Sequence, residues 1–167
     1  MTDLPHPDTA ELLVHCAILT VSDSRTAATD LSGQFIKQAL EQAGHQISDY
    51  TLLPDDPLQI RRQVEAWSQH DHLDVIILNG GTGIAPRDTT YDAIATLLEK
   101  PLPGFGELFR WLSYQQIGSR AMASRATAGV FRSRLIFALP GSRHGVQLGM
   151  EALILPELRH LVQQLRG

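Results

Sequence analysis

At 167 residues, the chain is short enough for one domain and long enough to bury a substantial core without disulfides or a structural metal. A formal net charge of -4, with 43% hydrophobic and 19% charged residues, excludes a general attraction to nucleic acid or to an anionic membrane surface. Any contact with phosphate must then come from local backbone geometry, a few arginines or a metal ion.

The stretch from Met1 to Asp8 has neither the basic region nor the apolar core of a secretory signal, and residues 1–11 read as a flexible arm. No apolar run approaches the roughly 20 residues that span a bilayer, so a cytoplasmic protein is expected. Leu12–Val21 is the first strong strand, and Cys16, the only cysteine, lies inside it as a buried, inert thiol. The strand ends at the polar cluster Ser22-Asp23-Ser24-Arg25-Thr26. Asp30 then caps a helix whose apolar face is Phe35, Ile36, Ala39, Leu40 and Ala43, and Gly44 sits where a left-handed residue closes it. His45–Leu53 alternates weakly and predicts a second strand. Asp56, Pro57 and Gln59 form a helix start, with Ile60, Val64 and Trp67 facing the core. That assignment leaves Asp55 with no structural duty.

Val75–Leu78 contains no polar side chain, which predicts a strand covered on both faces, as in a parallel sheet between helices. It stops at Gly80-Gly81-Thr82-Gly83, and a helix follows from Thr89 or Thr90 to Leu98. Glycines after such a strand let the backbone turn sharply and approach a bound group, and the helix start points unpaired N–H groups at the same place. This is an anion site or an ordinary tight turn, and phosphate is the anion that suits it best. Pro101–Gly106 reads as a turn-rich interruption, Glu107–Ile117 as a helix, and Gly118–Gly129 as a small, polar segment suited to close packing. Leu135–Leu139 is another apolar strand; Pro140-Gly141-Ser142 turns out of it, and a last helical region is broken or restarted at Pro156. Strands alternating with helices predict a single domain over residues 12–167, an α/β three-layer αβα sandwich with a mostly parallel central sheet. Ligands bind such folds beyond the carboxyl ends of the strands, where Ser22–Arg25, Asp55, Gly80–Asp88 and Pro140–Ser142 would gather.

Two common phosphate motifs fail. No Lys-Ser/Thr pair follows Gly83, which removes a Walker loop and argues against a small kinase, and Pro86 stands where a dinucleotide fingerprint needs its third glycine. His70-x-His72 lies in a polar turn without further ligands and reads as solvated.

The ordered set Thr20–Arg25, Asp30-x-Ser32-Gly33, Asn79–Gly83, Arg87-Asp88, Pro103–Glu107, Ser124-Arg125-Ala126 and Pro140–Ser142 resembles the molybdenum-cofactor biosynthesis family of the MoaB/MogA type. The resemblance runs from about Val14 to Leu165, and Leu112–Ser119 and the run into Pro140-Gly141-Ser142 are closer to its MoaB branch. It implies a domain that binds the pterin dithiolene molybdopterin. In active members the terminal phosphate of molybdopterin attacks the α-phosphate of ATP in the presence of Mg²⁺, and the adenylylated product passes to a metal-inserting partner. It also implies a homo-oligomer, trimer or hexamer. Some members of the branch are catalytically silent, so a molybdopterin-binding or scaffold role is the alternative.

Carried over residue by residue, Asp55 and Asp88 match the family's acidic positions and become the catalytic, Mg²⁺-positioning carboxylates. This suits nucleotidyl transfer, in which charge is neutralised and the nucleophile placed in line without a covalent protein intermediate. Gly80, Gly81, Thr82 and Gly83, with Arg87, are expected at the nucleotide phosphates. Ser22, Asp23, Arg25, Ser124, Arg125, Pro140, Gly141 and Ser142 are expected at molybdopterin, with arginine as a fork donor to phosphate. The other readings are helix-terminal charge for Asp88, a solvated turn for Asp55, and capping for the serines and for Glu107.

Overall fold

The computed structural model describes residues 11–167, so the expected arm lies outside the described residues except for Glu11. β1 (His15–Val21) is buried from Cys16 to Val21 and starts later than expected; Leu13 is exposed. Asp30 opens α1 (Leu31–Gln42) by accepting the Gly33 N–H at 2.9 Å, and Gly44 beyond its end takes φ 85. β2 (Gln46–Leu53) leads to Asp56, whose carboxylate accepts from Leu58 and Gln59 at the start of α2 (Pro57–Trp67). Those N–H donors, with the Gln59 side chain, hold the Asp56 carboxyl below its ordinary range. β3 (Val75–Asn79) is buried at all five positions, as its composition demands.

Past this point the chain departs from expectation. α3 is only Thr90–Ala95, because Glu99 N–H already bonds Val130 O and Lys100–Pro101 forms the short β4. α4 starts at Pro103 and runs to Ile117, with proline in the first turn where its missing N–H costs nothing. The expected interruption over Pro101–Gly106 is therefore mostly helix, and Glu107 lies past the first turn, where it caps nothing. Gly118–Ala123 is a 3₁₀ segment, and the rest of the supposed packing segment is β5 (Thr127–Phe131). Ala128 and Gly129 concealed that strand's pattern. Gly129 is required there, because a Cβ would fall 2.7 Å from Lys100 O on the neighbouring strand. β6 (Arg134–Leu139) is followed by α5 (Arg143–Gly149), a π-helical turn over Met150–Ile154, and α6 (Leu155–Arg166). The irregularity expected at Pro156 thus falls one turn earlier, since proline has no N–H to donate into that turn.

The sheet order is β2-β1-β3-β6-β5-β4. β2, β1, β3 and β6 are parallel, aligning Ile18 with Ile77 and Ile77 with Phe137, while β5 runs antiparallel to β6 and β4 to β5. Alternate residues of the central strands divide the core. Ile18, Ile77 and Phe137 pack against Ile36 and Leu40 of α1, Phe109 of α4, and Val146 and Leu158 of α5 and α6. Leu19, Ile76 and Leu78 pack against Ile60, Val64 and Trp67 of α2 and Ile94 of α3. The result is a mixed six-stranded sheet with helices on both faces. Cys16 is fully buried, and burial followed by the nearby Asp74 charge drives its thiol well above the ordinary range. Among the described residues, no helix is long and apolar enough to cross a membrane.

β2 lies on one side of β1 and β3 on the other, so the winding reverses at the β1–β3 seam. Beyond the carboxyl ends of those strands a crevice opens.

Candidate active site

Ser22 leaves β1 and accepts from the N–H groups of Ser24 (3.3 Å) and Arg25 (3.1 Å), which curls the first loop. Arg25 donates through Nη2 to Gly141 O at 3.0 Å and its Nη1 lies 3.9 Å from Asp30 Oδ1; Ser32 Oγ also donates to Gly141 O. The loops after β1 and β6 are thereby tied together. Asp30 is fully buried and accepts the Tyr50 hydroxyl at 2.6 Å. Burial first, and this carboxylate second, push the Tyr50 phenol up to about 12.

The glycine loop has no freedom in its residue types. Gly80 takes φ 97 and Gly81 φ 70; a Cβ on Gly80 would lie 2.1 Å from Val21 O, and one on Gly81 would lie 2.2 Å from Thr90 Oγ1 and 2.7 Å from Asp55 Oδ2. A Cβ on Gly83 would come within 2.7 Å of Asp88 Oδ2. Gly80 donates to Leu139 O, but the backbone N–H groups of Gly81, Thr82, Gly83 and Ile84 find no acceptor among the described residues. Four successive unpartnered donors at the end of a strand form an anion-binding concavity. Beneath them Asn79 Nδ2 donates to Thr20 Oγ1, while Asn79 Oδ1 and Thr90 Oγ1 are buried without partners.

Asp55 and Asp88 both border this loop. The expectation that Asp55 lacks a structural duty is corrected: its Oδ1 accepts the Thr89 hydroxyl at 2.5 Å and the Thr89 N–H at 3.1 Å, steadying the start of α3. Asp23 Oδ1 in turn accepts the Asp55 N–H at 2.9 Å. Asp88 Oδ2 accepts the Ala85 N–H at 2.9 Å and so closes its own loop rather than capping α3. Among the described residues, Asp55 Oδ2 and Asp88 Oδ1 make no hydrogen bond, which leaves one oxygen of each carboxylate for a ligand. Among the described residues, no group of three or more His, Cys, Asp or Glu is gathered for a metal, and His70 and His72 are exposed. Two carboxylates with free oxygens suit a Mg²⁺ that arrives with phosphate and keeps water ligands.

Together Ser22, Asp23, Arg25, Asp55, Gly80–Gly83, Arg87, Asp88, Pro140 and Gly141 line one cleft of about 300 Å³. Arg87 is exposed, and its guanidinium has no hydrogen-bond partner among the described residues. Three expected residues stand elsewhere. Ser142 accepts the Gly145 N–H at 3.1 Å as the cap of α5. Ser124 and Arg125 border a second hollow, of about 430 Å³, with Tyr91, Glu107, Arg110 and Met122. The Arg125 guanidinium is held by the protein: Nε by Gly83 O, Nη2 by Asp88 O, and Nη1 and Nη2 by the Asp92 carboxylate. Sequence reasoning missed Thr89, Asn79 and Arg110, whose Nη1 reaches Ser124 O and Ala126 O. Only the adjacency of Asn79 and Thr89 to the glycine loop gave a signal.

Residues 17–160 match a family model described as a probable molybdopterin binding domain. The chain is 48% identical over 162 residues to molybdenum cofactor biosynthesis protein B of Bacillus subtilis, covering 96% of this chain and 95% of that one. A crystal structure of a molybdenum cofactor biosynthesis protein B superposes with a TM-score of 0.90 at 46% identity, covering 93% of this chain and 97% of the other. The tungsten cofactor synthesizing protein MoaB of Pyrococcus furiosus superposes with a TM-score of 0.83 at 34% identity, covering 95% and 100%.

Proposed function

The chain belongs to the molybdenum cofactor biosynthesis family, and from that premise we propose that it adenylylates molybdopterin with Mg-ATP. The observation that carries this reading is one cleft lined by Gly81, Thr82 and Gly83, whose N–H groups find no acceptor among the described residues, beside two carboxylates, each with a free oxygen. The N–H groups of Gly81–Ile84 bind phosphate oxygens of ATP, and Arg87 adds a charged donor from the loop's far end. Arg25 is fastened to Gly141 and Asp30, and helps shape the wall against which molybdopterin lies, with Ser22, Asp23 and Pro140. A terminal phosphate oxygen of molybdopterin attacks the α-phosphorus of ATP; the bond to the bridging oxygen breaks and pyrophosphate leaves. Asp55 Oδ2 and Asp88 Oδ1 would hold Mg²⁺, which would neutralise charge on the phosphates when bound. The second hollow, with Ser124 on its rim, gives the pterin end room beyond the glycine loop. The adenylylated product then passes to a metal-inserting partner in the cytoplasm.

One observation favours a binding role without turnover. Asp55 and Asp88 each hold backbone, so their presence has a structural reason independent of chemistry. Purified protein mixed with molybdopterin, ATP and Mg²⁺ decides between the two. The enzyme reading expects adenylyl-molybdopterin and pyrophosphate, both lost in Asp88→Asn. Tight molybdopterin binding with no product establishes the silent protein instead.

The same reading includes self-association. Leu108, Trp111, Tyr114 and Ile117 make an exposed apolar stripe at successive i,i+3 positions of α4, which supports a second copy of the chain packing there, as trimer or hexamer.

A further inference from the structure

We propose that Arg125 is the positioning residue that aims the N–H groups of the glycine loop, an inference that rests on reading this loop as the phosphate site of the nucleotide. Three carbonyls of that one loop turn toward Arg125. Its backbone N–H donates to Thr82 O at 3.0 Å, its Nε to Gly83 O at 3.0 Å and its Nη2 to Asp88 O at 3.1 Å. A trans peptide is planar, and its N–H points opposite to its C=O. Drawing these three oxygens to Arg125 therefore turns the N–H groups of Gly83, Ile84 and Thr89 the other way. The observed partners agree: Thr89 N–H reaches Asp55 Oδ1 at 3.1 Å, and the N–H groups of Gly83 and Ile84 have no acceptor among the described residues. The Arg125 main chain thus sets the Gly83 N–H, and its side chain sets the free Ile84 donor and the anchorage of Thr89 on Asp55.

The guanidinium is itself held in place. Asp92 accepts from Nη1 and Nη2 at 3.1 and 3.2 Å, and Tyr91 lies beneath the group, 4.8 Å from its carbon to the ring centroid. A planar fork can serve two carbonyls and a carboxylate at once, whereas a lysine ammonium in the same place reaches only one or two. With its side-chain hydrogen bonds directed to protein, Arg125 acts through the loop and not by touching substrate.

The test uses the full chain and two variants, Arg125→Ala and Arg125→Lys. It measures Mg-ATP and molybdopterin affinities by calorimetry and backbone amide order parameters over residues 81–89. Arg125→Ala should weaken Mg-ATP binding roughly 10- to 100-fold, the worth of one or two charge-assisted hydrogen bonds to phosphate. Order parameters of Ile84 and Thr89 should fall, that of Gly83 should change less because its peptide stays held by the Arg125 backbone N–H, molybdopterin affinity should change less, and millimolar guanidinium should restore part of the loss. Arg125→Lys should recover only a fraction, and it carries the same readouts if the alanine variant does not fold. Unchanged order parameters at Ile84 and Thr89 overturn the inference. So does loss of molybdopterin affinity with Mg-ATP affinity intact, which returns Arg125 to direct ligand contact. Failure of the unaltered protein to bind Mg-ATP defeats the nucleotide reading alone, and the order parameters still judge the clamp.

Discussion

Replacing Asp55 by asparagine and by alanine separates the two duties its carboxylate carries. Asparagine keeps an oxygen where Oδ1 stands, so the hydroxyl and N–H of Thr89 retain their acceptor. It replaces the free Oδ2 by an NH₂ group that cannot bind a cation. Alanine removes both hydrogen bonds and frees the start of α3. Loss of two partly solvated bonds to a charged acceptor costs about 1–3 kcal/mol after the gain in hydration. For a domain of this size each kcal/mol lowers Tm by roughly 2–4 °C, so Asp55→Ala should melt about 2–12 °C below the unaltered protein. Asp55→Asn should melt within about 3 °C of it, because only charge assistance is lost. Both variants should lower adenylyl transfer at least about 100-fold, the scale on which removal of one charge-stabilising group acts. Calorimetric melting and a pyrophosphate-release assay on the same preparations measure the two effects. An asparagine variant with full turnover refutes the role of Oδ2, and equal melting of the two variants refutes the anchorage of Thr89.

Gly81→Ala should be worse for binding than for folding. Its Cβ would meet Thr90 Oγ1 at 2.2 Å and Asp55 Oδ2 at 2.7 Å from a backbone at φ 70, and the loop must move to relieve this. Mg-ATP affinity should fall at least about tenfold, read by calorimetry, with melting lowered by strain of about 1–3 kcal/mol. His45 predicts a pH dependence. It is buried, its Nδ1 accepts the Val14 N–H at 3.3 Å, and burial first, then the Arg159 charge, lower its pKa below 6.5. The folded chain therefore binds fewer protons than the unfolded one. The stability from this group is present above about pH 6.5 and is lost as pH falls through the lower folded value. Urea midpoints should decline over that window, and the decline should flatten in His45→Asn. Trp111→Glu puts a charge in the centre of the exposed stripe on α4; light scattering should show smaller particles with the melting temperature of the isolated chain unchanged.

Local chemistry was enough to read the starts of α1 and α2, because a cap acts within a few residues. Asp30 and Asp56 accept from N–H groups only two or three positions away. Apolar runs likewise marked β1, β3 and β6, since a strand buried on both faces has little place for a polar side chain, and the buried Thr20 and Asn79 are bonded to each other. The glycine run after β3 announced a sharp turn for the same local reason, and Gly80 and Gly81 take positive φ there. β5 escaped because Ala128 and Gly129 are small to fit beneath neighbours that the chain supplies from elsewhere. The duties of Asp55 and Arg125 were hidden in the same way. Asp55 meets Thr89 across 34 residues, and Arg125 meets Gly83 across 42, separations at which residue type and spacing carry no information. Composition and periodicity marked the turn after β3 as an anion site or a tight turn, and Asp55 and Asp88 were singled out beside it by the family resemblance. Which carboxylate oxygens are left free, and which arginine the loop's carbonyls hold, followed from the order in which the parallel strands assemble, because that order alone brings the separate loops together.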